Sequence, residues 1–386
     1  MDFICSRSDW VTGVRLARHA LGSRSSMPIL GGLKLTVRET GLELCATDLE
    51  RAVRCEIPIE NSGGEGAAVL NGTVVSQIAD HLPKDDKVSV QTDPDSETVI
   101  KLRCGEATFD LPTLPVEDYP EIAELPQAKI ASLSVADLHL ALDQTAFAAL
   151  KAGETTRLSL TGVDIVLEGG NARLVATNGY RLAMKTFPAA EIQEEAEFLI
   201  EAGVLADLDR VLREASQASD DAAALFKGEG RLFFQVARVT FVAKTLGEEF
   251  PDFERVVPKD NPITLLFKRN DLLETLQRIE ITAAEESGAV TLRATTEESA
   301  VRLTSSSKSK GEAEERVRLM QVPEQDIEVS FKAEYLIDAL KRMSSTEIGL
   351  WLASGEKAGL IEPSGDAISA SDEGYLYVCM PVRLST

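Results

Sequence analysis

Apolar residues along the chain follow two rhythms in turn. From Ser8 onward, Trp10, Val14, Ala17 and Leu21 recur at three- and four-residue steps, the stripe of an amphipathic helix. The stripe returns at Leu138, Leu142, Thr145 and Ala149, and again at Leu272, Leu276 and Ile279. A second helix is predicted in each third, over 72–83, 201–215 and 332–344. Between the helices the rhythm drops to two, the alternation of half-buried strands bounded by turn residues. It covers Leu33–Val37, Leu42–Ala46, Val53–Ile57, Val88–Gln91, Val99–Arg103 and Thr108–Leu111. The same texture runs through Gly162–Leu167, Arg173–Thr177, Arg181–Phe187, Arg231–Val236, Thr240–Lys244, Val290–Ala294, Ile348–Leu352, Gly359–Glu362 and Tyr375–Met380.

Short motifs repeat with the helices. Ala46-Thr47-Asp48-Leu49-Glu50-Arg51 returns as Ala176-Thr177-Asn178-Gly179-Tyr180-Arg181, and Glu117-Asp118-Tyr119-Pro120 as Glu248-Glu249-Phe250-Pro251. The third copy is fainter, with Leu303-Thr304-Ser305 echoing the Ala-Thr motif. A period of about 130 residues is a domain triplication and not a solenoid of short units. Pro115, Pro120 and Pro126, then Pro251 and Pro258, place the boundaries so that the domains are 1–126, 127–258 and 259–386. The fold class is α+β: in each domain two helices cover one face of antiparallel sheet.

Charge changes this picture by subtraction. The net charge is −23, and the three domains carry 12 basic and 21 acidic, 13 and 20, and 15 and 22 residues. No basic domain or tail hides in the average, so a tight electrostatic grip on phosphates is excluded. Candidate chemistry is equally sparse. His19, His81 and His139 have no partner at metal-ligand spacing, and neither a phosphate-binding Gly-Lys loop nor a nucleophile elbow is present. Cys5, Cys45, Cys55, Cys104 and Cys379 are scattered without a C-x-x-C pair and read as reduced, buried thiols. The first residues lack a basic leader and an apolar core, and no apolar run approaches the length of a membrane span, so a cytoplasmic location is expected. A binding protein without metal or cofactor is expected, rather than an enzyme.

Specific segments carry a resemblance. Ser23-Arg24-Ser25-Ser26 and Met27-Pro28-Ile29-Leu30-Gly31 follow the first helix. Ala176 to Ala183 and Gly247-Glu248-Glu249-Phe250-Pro251-Asp252-Phe253 mark the middle third, and the chain closes on Val378-Cys379-Met380-Pro381-Val382-Arg383-Leu384. In this order and spacing the chain resembles the beta subunits of bacterial DNA polymerase III, the sliding clamps, over essentially its whole length. The resemblance implies three similar DNA-clamp domains per chain and a head-to-tail homodimeric ring. Such a ring encircles duplex DNA without reading its sequence and tethers the replicative polymerase, the clamp loader, and repair and translesion proteins that carry clamp-binding peptides. The alternative is a peptide-binding adaptor of the same fold that does not encircle DNA.

Carried over by position, the peptide pocket comprises Leu160, Thr177, Gly179, Tyr180, Arg181, Leu182, Pro251, Arg255, Val256, Leu360, Met380, Pro381, Val382, Arg383 and Leu384. An apolar groove rimmed by arginines suits a Leu- and Phe-rich peptide, and a methionine adapts to varied ligands. The DNA-facing candidates are Arg15, Arg18, Arg24, Arg210, Arg213, Lys341 and Arg342. Phe109 and Leu111 are expected to meet the partner near Ile281. The chain departs from its relatives at Glu201-Ala202-Gly203, where a basic residue is usual, and at Lys332, Ser287 and the trailing Ser385-Thr386.

Overall fold

The computed structural model describes residues 1–22, 27–38, 41–84, 87–93, 96–216, 221–284, 287–366 and 368–383. Among them are six α-helices: α1 (Arg7–Ala17), α2 (Gly72–His81), α3 (Val135–Thr145), α4 (Ala202–Ala215), α5 (Arg269–Ile279) and α6 (Ala333–Arg342). Two start signals are local. The Ser6 hydroxyl accepts the Asp9 N–H at 3.0 Å ahead of α1, and Asn71 Oδ1 accepts the Val74 N–H at 3.0 Å ahead of α2. The apolar stripe of α1 is shorter than its spacing suggests. The α-helix ends at Ala17, Arg18–Ala20 form a 3₁₀ turn, and Leu21 packs instead against Gly72 at the start of α2.

The chain forms two compact units, and both cut through the middle repeat. The first holds residues 1–136, 190–194 and 203–245; the second holds 137–189, 195–202 and 246–386. Strand pairing explains the division. In the first unit a sheet of fourteen described strands runs across the repeat boundary, because Val239–Lys244 pairs antiparallel with Arg51–Ile57. In the second unit Tyr375–Cys379 pairs antiparallel with Arg181–Pro188 inside a sheet of eight described strands. A further sheet of four strands completes the third repeat. Each seam joins the last strand of one repeat to the strand after the Thr-to-Arg motif of the preceding one.

The cores follow the alternation. Trp10, Phe3, Leu33, Leu35, Leu42, Leu44, Phe233, Phe234 and Phe241 are fully buried in the first unit, and Phe267, Phe331 and Tyr377 in the second. α1 lies so close to its sheet that a Cβ on Gly13 would come within 2.7 Å of Leu44 Cδ1. All five cysteines are buried, and burial pushes the thiols of Cys5, Cys45, Cys55 and Cys379 up to about 12. No described helix is long and apolar enough to cross a membrane.

Polar groups also lock the second seam. Lys185 is buried, and its Nζ donates to the carbonyls of Ser371 at 2.7 Å and Glu373 at 2.6 Å. Asp372, fully buried beside it, accepts from the N–H groups of Ser344 and Ser345 and from Gln144 Nε2. Burial pulls the Lys185 ammonium below the usual lysine value while Asp372 acts to hold it up. Such a pair is tolerated because both charges are hydrogen-bonded, Lys185 to two carbonyls and Asp372 by three donors.

Asp164 is less well served. It is 3% exposed on Gly162–Glu168, opposite Val175, and its Oδ1 has no hydrogen-bond partner. Burial, reinforced by the nearby Glu197 charge and opposed by Arg173, pushes its carboxyl up to about 7. A carboxyl raised in the folded state contributes stability that is complete below its unfolded value near 4 and is lost as pH rises through 7. Asp164→Asn is therefore expected to flatten the pH dependence of unfolding between pH 4.5 and 8, by at most about 4 kcal/mol. Urea titrations at several pH values check this; parallel curves for the two proteins would show that Asp164 does not titrate there.

Candidate binding groove

The groove forms around a five-residue turn in the second unit. Thr177 closes it by donating from Oγ1 to the Arg181 carbonyl at 2.7 Å while accepting the Gly179 N–H at 3.1 Å. Asn178 Oδ1 accepts the N–H groups of Tyr180 and Arg181 at 2.9 and 3.0 Å. These side-chain bonds are how Thr and Asn build turns. The tip, Gly179, has φ of +87°, a left-handed conformation that glycine adopts without steric cost. The Met380 N–H then donates to the Tyr180 carbonyl at 2.8 Å, which brings the C-terminal segment to the turn.

Beside this turn lies a cavity of about 240 Å³. It is lined by Arg157, Leu160, Thr177, Gly179, Tyr180, Arg181, Leu182, Pro251, Asp252, Phe253, Val256, Val378 and Met380. Its floor is the apolar cluster of Val175, Leu182, Phe253 and Val378, on which Met184, Phe250, Val257, Leu360 and Leu376 pack. Tyr180, 67% exposed, stands at the rim with the exposed Val256 and Met380. Three apolar side chains left in water around one opening form a surface suited to an apolar ligand.

The remaining sequence candidates take different places. Leu360 packs within the floor cluster and does not line the cavity. Arg255, 85% exposed in its side chain, pairs with Asp252 at 2.8 Å and lines an adjoining charged depression with Lys259, Glu356 and Lys357. Pro381, Val382 and Arg383 continue past the opening, and the Val382 N–H donates to the Ser330 carbonyl at 2.7 Å. Leu384 lies outside the described residues. The expected arginine rim needs correction at Arg181, whose side chain is 10% exposed. Its guanidinium pairs with Asp338 at 2.7 Å, donates to the Phe147 carbonyl, and lies 4.6 Å from the centre of the Tyr335 ring. Arg181 therefore braces the turn and offers the groove mainly its stem. Arg157, Asp252, Phe253 and Val378 are the lining residues that sequence reasoning passed over, although the last three lie in the motifs that carried the resemblance.

The helix cations are mostly engaged. Arg18 pairs with Asp80 at 3.2 Å, Arg210 with Asp207 at 2.6 Å and Arg213 with Asp209 at 3.2 Å. Arg15 and Lys341 are exposed, and Arg24 lies outside the described residues. Arg342 departs from the expectation of a free DNA-facing group. It is half-buried, its guanidinium lies 4.1 Å from the Phe147 ring centre, and Nη1 donates to the Asp338 carbonyl.

The interface candidates separate in the same way. Ile281 is 69% exposed on the turn after α5. Phe109 is half-buried and Leu111 is buried within its own chain. What their strand offers is backbone: among the described residues Ala107–Leu114 pairs with Ser96–Cys104 on one side, but on the other only through Thr113 and Leu114. Gly311–Arg318 pairs with Ala300–Ser307 alone and has its second edge open among the described residues.

Comparison with known proteins agrees along the whole chain. Family models of the DNA polymerase III beta subunit match in order: the N-terminal domain over residues 1–123, the central domain over 132–252 and the C-terminal domain over 254–383. The chain is 28% identical to the beta sliding clamp of Vibrio cholerae over 385 residues, covering 100% of both chains. It is 26% identical to that of Staphylococcus aureus over 390 residues, covering 99% of both. Among solved structures it resembles the DNA polymerase III beta subunit of Thermotoga maritima with a TM-score of 0.88 at 26% identity. It also resembles a DnaN sliding clamp of Pseudomonas aeruginosa bound to griselimycin, with a TM-score of 0.89 at 25% identity; both matches cover 100% of each chain. Repeat, fold and motif thus converge, and the chain belongs to the DNA polymerase III beta subunit family, the sliding clamps.

Proposed function

We propose that this chain performs its family's task, processivity of the replicative DNA polymerase, through two surfaces with separate physics. One is a ring closed head to tail by two copies, which holds duplex DNA by topology and without regard to sequence. The other is the groove beside Gly179, which receives short peptides from the polymerase, the clamp loader, and repair and translesion proteins. Neither task makes or breaks a covalent bond, so the chain is an accessory subunit and not an enzyme. The observation that carries the peptide reading is the apolar cavity of about 240 Å³ with Tyr180, Val256 and Met380 exposed at its mouth. A buried Leu or Phe side chain contributes roughly 1.5–3 kcal/mol, enough for a two-residue anchor to bind reversibly.

Ring closure fits the open edges. An unpaired strand edge is a template for another strand, and Ala107–Leu114 and Gly311–Arg318 provide two such edges. Their union in a second copy is heterologous, so closure depends on the rotation between copies. Ile281 then lies in an apolar contact near Phe109. On the DNA side, Arg18, Arg210 and Arg213 already face carboxylates, and the net charge of −23 repels phosphate. Such a ring holds DNA with weak local contacts, as sliding requires.

Three measurements test these surfaces. Protein loaded onto nicked circular DNA by a clamp loader is expected to stay through a wash at high salt and to leave when the circle is cut. Loss from the intact circle would favour the adaptor that does not encircle DNA. Met380→Ala is expected to weaken binding of a Leu- and Phe-containing polymerase peptide by about tenfold without altering the dimer; unchanged affinity by fluorescence anisotropy would reject the groove. Ile281→Asp is expected to shift the protein from dimer to monomer in sedimentation, and a persistent dimer would remove Ile281 from the interface.

A further inference from the structure

The groove beside Gly179 has a closed twin in the first unit. The turn from Thr47 to Arg51 repeats the Thr177–Arg181 turn bond for bond. Thr47 Oγ1 donates to the Arg51 carbonyl at 2.7 Å and accepts the Leu49 N–H at 3.1 Å, while Asp48 Oδ1 accepts the N–H groups of Glu50 and Arg51 at 3.0 and 2.9 Å. Arg51 pairs with Asp207 at 3.1 Å as Arg181 pairs with Asp338. The Lys244 N–H donates to the Glu50 carbonyl at 2.9 Å, the same bond that Met380 makes to Tyr180. Backbone conformation at the tip is shared as well, φ being +78° at Leu49 and +87° at Gly179.

On this common backbone the cavities differ, about 40 Å³ beside Leu49 against about 240 Å³ beside Gly179. The floors do not explain the difference. The first groove has Ala52 at the place of Leu182 and Ile122 at the place of Phe253, smaller residues that by themselves would leave more room. The difference lies in the long side chains around the opening, which in the first groove include Leu49, Lys244 and Arg231. Leu49 lines the cavity while 47% exposed, and Lys244 Nζ pairs with Glu50 Oε1 at 2.9 Å where the second groove has Met380 and Tyr180. At residue 179 a Cβ would meet no atom of the described residues within 4 Å, so among them the place at the turn's tip is open.

We propose that residue 179 is the specificity-determining position of the peptide groove, Gly179 leaving vacant the space that Leu49 plugs in the first repeat. The inference rests on the reading of the second groove as the peptide site. Glycine there has a role beyond its permissive backbone, since Leu49 holds nearly the same φ: it keeps a side chain out of the space where the ligand's anchor enters. Each chain thereby recruits through one groove, although it contains the turn and floor of two.

The test is fluorescence anisotropy with a labelled synthetic peptide bearing one Leu and one Phe, on the full-length chain and its variants. Gly179→Leu is expected to lose at least about tenfold in affinity, the scale of one displaced apolar side chain. Gly179→Ala, which carries the same left-handed strain without the bulk, is expected to lose about threefold or less. Circular dichroism and thermal melts confirm that both variants fold, as the turn at Leu49 shows a leucine can. Equal losses in the two variants would overturn the plug in favour of backbone strain, and wild-type affinity in Gly179→Leu would overturn it outright. Absence of binding by the wild-type chain would instead overturn the peptide-site reading, and the plug with it. Leu49→Gly combined with Glu50→Tyr and Lys244→Met is expected to create a second, weaker binding event per chain; unchanged stoichiometry by calorimetry would count against the plug.

Discussion

Residues 239–243 pair with 51–55, and residues 375–379 pair with 181–185, in the same register relative to a Thr-x-x-x-Arg turn. These seams let a triplicated chain share sheets instead of stacking three closed sandwiches. Each shared strand satisfies its backbone groups on a neighbour's edge, which removes the exposed edge an isolated repeat would present. The seam also fixes where a groove can form. The turn, the strand that ends beside it and the proline-bearing linker meet there. Arg51 and Arg181, paired with carboxylates on α4 and α6, tie each turn to the following repeat's second helix. A groove at a seam is consequently a product of strand sharing, with its side chains free to vary.

Electrostatics fits a protein that holds its polyanion by shape. With a charge of −23 spread across all three repeats, long-range attraction to DNA is absent, and any local attraction must come from a few helix cations. Most of those are met by an acid on the same or an adjacent helix. Surface pairs of this kind contribute little to stability, but they do reduce the field a phosphate would feel. Each phosphate contact would add friction and salt dependence to sliding. Topological retention needs neither, so acidity that would disable a conventional DNA-binding domain is compatible with a clamp.

Much of the fold was legible because its signals are local. Strands with one buried face alternate, and the helices show their stripes, so the triplication and fold class follow from the residues. Gly311–Arg318 escaped notice because an edge strand built mostly of glutamates and arginines, Gly-Glu-Ala-Glu-Glu-Arg-Val-Arg, has almost no apolar rhythm. Thr177, Gly179 and Met380 were legible as groove residues because short motifs carry the family likeness. Phe253 and Val378 were not, because a lining residue that is also floor looks like any core residue. Arg181 and Arg342 were placed on surfaces because sequence does not reveal the aromatic rings that cover them; Phe147 and Tyr335 do so only in three dimensions.

Leu49 bears on how such a site is kept open. An L-residue in the left-handed region costs roughly 1–2 kcal/mol, and selection for stability alone would favour glycine or asparagine at that tip. The turn's four side-chain-to-backbone bonds hold the conformation whatever residue occupies it. Leu49 shares the lining of the small first cavity with Ala52 and Val242. The second turn makes the opposite exchange. Glycine removes the strain, but the apolar floor of Leu182, Phe253 and Val378 is left accessible from the cavity. Among the described residues the cavity stays open over that floor, and the proposed peptide would cover it with an apolar side chain. On nearly the same backbone the first turn keeps a leucine beside its cavity and the second leaves that place open, where the proposed peptide would enter.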